Sequence, residues 1–136
     1  MKLTAEDARA YLRTNHRAFL ITRRRNGGLQ SSLVHAQADG QGHAVVWARG
    51  STAKLKNLRR DPRAALSVLG EQGSAPWMHI EGQAEVVTWP ESKPLLDEYH
   101  RIRHGQEHAN WDEYHAQMER EQRAIIRIAI DAALGG

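Results

Sequence analysis

Five polar residues in one short run carry the most legible chemistry of the chain. Ser51, Thr52, Lys54 and Lys56, with Arg49 just upstream, set two hydroxyls and three cations within eight positions. Leu55 and Leu58 follow at helical spacing, and Asp61-Pro62 supplies a stop, because the residue before a proline is pushed out of the α region. The pattern predicts a helix of about ten residues with Ser51 as its cap. Its charges run the wrong way. A helix N-terminus carries about half a positive charge, so a cation there is unfavourable by roughly 0.3–1 kcal/mol, yet the one acid, Asp61, sits at the far end. Backbone N–H groups, hydroxyls and cations gathered at a helix start suit an anion, and phosphate in particular. The plainer alternative is that Ser51 only caps and the lysines only face water.

Other chemistries find less support in the residue pattern. His100 and His104 have the i, i+4 spacing that puts two imidazoles on one helical face, but HRIRH lacks the glutamate of HExxH, and neither His108 nor His115 has a spacing that names it as a third ligand. A solvated helix face is the reading, with no metal. There is no GxSxG elbow, and Ser31 and Ser32 lie inside a strand. The absence of cysteine excludes disulfides and thiolate chemistry. Neither GxGxxG nor a P-loop is present. Trp47, Trp89, Trp111 and Tyr114 read as core or interface residues, whereas Trp77 opens a strand on that strand's polar face.

The elements that must position these residues form a strand-dominated chain. Of 136 residues, 40% are hydrophobic, enough for one domain with a real core. The formal charge is +3, with clusters at Arg23-Arg24-Arg25 and Arg59-Arg60, which fits a small polyanionic ligand as well as nucleic acid. MKLTAEDARAYL lacks the apolar run of a signal peptide, and no stretch approaches the ~18 apolar residues of a membrane span, so a cytoplasmic protein without a membrane partner is expected. A helix opens at Thr4 and runs through Leu12. Strands are predicted at 18–22, 29–36, 43–49, 64–69, 77–87 and from 124, with a loop over 70–76 and helices around 94–104 and from Asn110. The strand 77–87 is the clearest, with Met78, Ile80, Gly82, Ala84 and Val86 on one face and His79, Glu81, Gln83 and Glu85 on the other. The fold class is mainly β with flanking helices: about six antiparallel strands forming a closed or partly open barrel.

The run TAKLKNLRRDPRAALSV, preceded by LQSSLVHAQAD and followed by WMHIEGQAEV and NWDEYHAQMEREQRAIIRI, resembles the flavin and deazaflavin-dependent oxidoreductase superfamily over nearly the whole chain. Within it the chain is most similar to the pyridoxamine-phosphate-oxidase-like actinobacterial enzymes that use coenzyme F420. The resemblance implies a split β-barrel homodimer with cofactor sites at the subunit interface. It places the cofactor phosphate over Ser51, Thr52 and Lys54, with Lys56 and Asn57 nearby, and the ring along Gln30, Ser31, Ser32 and Val34. Trp77 and Met78 correspond to a segment that relatives present from the partner subunit. Arg49 and Arg23 to Arg25 are added here as candidates for an anionic oligoglutamate tail. Relatives often carry an arginine before the phosphate lysine and a proline in the second strand, where this chain has Ala53 and Leu33; its last residues, IAIDAALGG, lack the Arg-x-His type segment of true pyridoxamine phosphate oxidases. The implied activity is hydride transfer from reduced F420 to an unsaturated small-molecule acceptor. The same fold with FMN is the alternative, and a non-catalytic basic module that binds anions or nucleic acid is the alternative of another class.

Overall fold

The computed structural model describes residues 1–71 and 77–136, so residues 72–76 of the expected 70–76 loop lie outside it. The chain runs β1 (Lys2–Leu3), α1 (Ala5–Leu12), β2 (Arg17–Arg23), β3 (Leu29–His35), β4 (Gln37–Ala38), β5 (His43–Ala48), α2 (Ala53–Arg60), β6 (Arg63–Leu69), β7 (Trp77–Val87), α3 (Lys93–His104), α4 (Trp111–Arg120) and β8 (Ala124–Gly135). The six expected strands are all present. β1 and β4 are two-residue additions that no local pattern announces.

All strand pairs are antiparallel, in the order β3-β2-β6-β7-β8-β5-β4, with β1 against the far end of β8. The sheet curls into a half-barrel around one core. Leu20, Leu66, Ile80, Val46, Ile126 and Ile128 point inward, and α1 and α2 fill the curl with Ala8, Leu12, Leu55 and Leu58. The opposite faces of β5 and β8 carry a second cluster, in which Val45 and Ile125 pack against Leu96 and Tyr99 of α3 and Tyr114 and Met118 of α4. The two-residue period of β5 thus decides which side chains meet the core and which meet the helices.

The helix ends follow from local chemistry. Thr4 and Asp7 form a reciprocal capping box at α1. Asn110 accepts the Glu113 N–H at the start of α4, and Gly105, in the left-handed region at φ 68°, closes α3. In β7 the pairing with β8 slips by one residue at Glu81/Gly82. A Cβ at Gly82 would lie 1.8 Å from the Ala129 carbonyl oxygen, so only glycine permits that approach.

Candidate functional site

The site begins at the entry to α2, which a contact distant in sequence fixes. The Gly50 N–H donates to the Glu121 carbonyl at 3.2 Å, and a Cβ on Gly50 would meet the Gln122 carbonyl oxygen at 2.7 Å. This close approach sets the start of α2 against the turn between α4 and β8. The cap is Thr52, one residue later than the expected Ser51. Its hydroxyl donates back to the Arg49 carbonyl at 2.9 Å and accepts nothing from the helix. The first-turn N–H groups of α2 therefore have no side-chain cap, and no acid lies in that turn.

The uncapped start opens onto a groove of about 410 Å³ lined by Thr52, Lys54, residues 33–35 at the end of β3 and residues 47–49 at the end of β5. It lies where the curled sheet brings its β3 edge back towards β5. Arg103 and Arg123 complete the wall, giving four cations with Lys54 and Arg49. Among the described residues one carboxylate offsets them: Glu121 accepts from Arg123 Nε at 2.6 Å and lies 3.8 Å from Arg49. Burial, and then the nearby Arg123 charge, lowers the Lys54 pKa below its ordinary value. Both are the marks of a cation short of anionic partners.

An aromatic stack forms the back of the groove. Trp47 stacks on Tyr99 with centroids 5.4 Å apart, while the Arg123 guanidinium lies 4.1 Å from the Trp47 ring and that of Arg103 5.7 Å from it. The Tyr99 hydroxyl donates to the His35 carbonyl at 2.7 Å and is pushed above its usual range, chiefly by burial. His35 stacks on His16 at 4.8 Å. Burial first, then the charges of Arg103 and His16, lower its pKa to about 4, so the ring is neutral at pH 7.

Of the residues singled out by sequence, Val34, Arg49, Thr52 and Lys54 meet in this groove. Ser51 faces a neighbouring groove beside Trp89 and Arg120. Lys56 projects on the opposite side of α2, into an open surface with Arg25, Arg59 and Arg60. Asn57 is buried, and its amide donates to Thr22 and to Gln30 Oε1 at 3.1 Å each, while Arg60 donates to Asn57 Oδ1 and to the Arg23 carbonyl. Gln30 and Asn57 thus bind each other, as a polar plug between α2 and the β2–β3 hairpin. Ser32 shares the inner face with Gln30 and Val34, whereas Ser31 faces outward opposite Ile21. Met78 is a core residue at 3% exposure, and Trp77 stands 42% exposed on the outer sheet face opposite Leu69. The arginine cluster divides: Arg23 lines an outer-sheet groove with Arg63 and Glu81, and Arg25 joins Lys56. Arg103, Arg123 and His35 escaped the sequence reading, and Trp47, expected as a core or interface residue, lines the groove.

A phosphate fits what is present: an uncapped helix start, a hydroxyl at its cap and a surplus of cations around a half-buried lysine. The family model described as pyridoxamine 5'-phosphate oxidase matches residues 4–135. The chain belongs to that family. Solved structures share the fold of this pyridoxamine 5'-phosphate oxidase family member. Conserved hypothetical protein Rv2991 from Mycobacterium tuberculosis superposes with a TM-score of 0.74 at 18% identity, covering 98% of this chain and 84% of that one. An F420 reductase superposes at 0.66 with 20% identity, covering 92% and 94%. A heme binding protein from Mycobacterium smegmatis superposes at 0.65 with 20% identity, covering 97% and 53%. At these identities the likeness shows the split-barrel fold, which the family's flavin-type oxidoreductases share, and leaves the ligand to the residues.

Proposed function

We propose that the protein is a coenzyme F420-dependent oxidoreductase that passes a hydride to an unsaturated small-molecule acceptor. The observation that carries this reading is the uncapped, cation-surrounded start of α2, where Thr52 and Lys54 would hold the cofactor phosphate with Arg49 and Arg123 beside them. When bound, the reduced deazaflavin supplies a hydride from C5. The protein binds and orients. Val34 and Leu33 offer an apolar edge next to the cations, and the Trp47–Tyr99 stack gives that edge a rigid back. Arg49, exposed at the groove rim with only a long 3.8 Å pairing to Glu121, would turn to an anionic tail that FMN lacks. FMN is the second reading, favoured by the family itself.

The same reading includes a homodimer. On the outer sheet face Phe19 pairs with Leu33, Leu69 with Trp77, and His79 with Leu134, leaving Phe19, Leu33, Leu69, Trp77 and Leu134 each 38–56% exposed. A second copy would cover this patch, and Trp77, which does not line the groove of its own chain, would then serve the partner. No nucleic-acid or membrane partner is proposed; among the described residues no helix is long and apolar enough to cross a membrane. Sedimentation of the protein at micromolar concentration tests the dimer: a Trp77→Glu variant should shift it towards monomer, and a wild-type monomer that persists with cofactor refutes it. Titration of F420 and FMN tests the cofactor. Tighter FMN binding would move the assignment to a flavin enzyme, and no binding of either would end it.

A further inference from the structure

The cations of the groove are not equivalent. Lys54 and Arg123 go together: Arg123 is the charge that Lys54 senses, and it is itself held by Glu121. Arg103 is next to His35, whose ring senses it before any other charge. Both guanidinium groups lie over the Trp47 ring, Arg123 at 4.1 Å from its centroid and Arg103 at 5.7 Å.

Arg103 also lacks the partner that its neighbours have. Arg101, two residues earlier on α3, is held by Glu107, and Arg123, in the same groove, by Glu121. Among the described residues the exposed Arg103 makes no hydrogen bond or ion pair; it meets the Trp47 ring at 5.7 Å, and its charge is felt by His35. A place in the last turn of α3 explains a cation there through the helix dipole, but not its position in the groove wall. Stacking on an aromatic face restrains a guanidinium while leaving its in-plane N–H groups free for a planar, bidentate acceptor. Leu33, Val34 and neutral His35 line the same groove and bring no negative charge to compete for those N–H groups.

We propose that Arg103 anchors a carboxylate of the hydride acceptor, so that the substrates of this protein are small unsaturated carboxylic acids. This rests on the F420 reading for the word acceptor, since the phosphate end of the groove must already be taken. A phosphate at Lys54 and a carboxylate at Arg103 would together offset the cation surplus of the groove. The carboxylate would also fix which face and which end of the acceptor's double bond point inward.

The test is calorimetric titration of the protein loaded with oxidised F420, where no turnover occurs, with trans-cinnamate and with its neutral isostere cinnamamide. Cinnamate should bind roughly tenfold or more tightly than the amide, as one charge-assisted carboxylate contact implies. Arg103→Gln should erase that preference while leaving cinnamamide and F420 affinities within about twofold, and Arg103→Lys should restore part of it. Thermal melting of each variant checks the fold, and the wild-type comparison stands even if one variant fails to fold. Equal binding of the two probes to the wild type, or a preference that persists in Arg103→Gln, would overturn the proposal. Loss of F420 affinity in Arg103→Gln would overturn it differently, by making Arg103 part of the cofactor seat. If the wild type binds neither F420 nor FMN, the function above fails separately. The same two probes on the unloaded protein then decide Arg103: a preference lost in Arg103→Gln keeps the carboxylate site, and no preference removes it.

Discussion

The two sides of α2 carry similar charges and do different work. On one side Lys54 is half-buried, stands at an uncapped helix start and faces an aromatic-backed groove. On the other, Lys56, Arg59 and Arg25 border an open surface, and the polar groups beneath them are occupied by structure: Asn57 ties α2 to Thr22 and Gln30, and Arg60 closes the same network. Counting cations does not separate the two sides, since four border each. Physical context does, because a charge near a desolvated, fixed donor set interacts strongly with an anion, whereas exposed charges are screened within a Debye length of ~8 Å.

That contrast breaks most readily at Lys54. Lys54→Ala should weaken cofactor binding by about 1.5–3 kcal/mol, roughly ten- to a hundredfold, with little change in melting temperature. Fluorescence titration of the cofactor checks it. Asn57→Ala should behave in the opposite way: it leaves the buried Thr22 hydroxyl and Gln30 Oε1 without their donor, so denaturant unfolding should show a loss of about 1–2 kcal/mol while affinity changes little. If Asn57→Ala lost affinity with stability intact, the plug would be part of the binding surface instead.

His35 sharpens the comparison through pH. Its folded pKa of about 4 lies below the ordinary 6.5, so the unfolded chain takes up the proton first as pH falls. Stability should therefore decline from about pH 6.5 down to about pH 4 and level off below. His35→Phe should flatten that decline by on the order of 1–2 kcal/mol, once screening of the half-buried ring is allowed for. Urea unfolding of both proteins between pH 4 and 7 measures it. The smallest effects belong to the open side of α2. Lys56→Ala and Arg25→Ala should each change cofactor affinity by less than about threefold, and only at low salt.

Much of the fold was legible because its signals are local. The period-2 alternation of β7, the acids after Thr4 and the glycine after His104 each act within a few residues. β1 was not legible, since Lys2 and Leu3 become a strand only by pairing with Leu134 and Ala133. The far end of β8 was hidden for a related reason: the slip opposite Glu81/Gly82 leaves Asp131 unpaired between Ile130 and Ala132, so the alternation of Ile126, Ile128 and Ile130 changes phase. At the site, Thr52 and Lys54 could be read from their spacing. The displacement of the cap from Ser51 to Thr52 could not, because it accompanies the contact of Gly50 with Glu121, seventy-one positions away. Arg103 and Arg123 reach the groove through the packing of α3 on β5 and the turn before β8, and nothing in their neighbours along the chain marks them.

The most direct measurement is a titration of F420 and of FMN, with a short DNA duplex as the competing polyanion, into wild type, Lys54→Ala and Lys56→Ala at low and at physiological salt. A cofactor phosphate seated at the start of α2 requires F420 to bind the wild type more tightly than FMN, Lys54→Ala to lose at least about tenfold for both cofactors at either salt, and Lys56→Ala to stay near wild type. Equal small losses in the two variants would contradict that seat. DNA binding with a steep salt dependence and no affinity for either cofactor would contradict the enzyme itself, because binding dominated by phosphate neutralisation behaves that way.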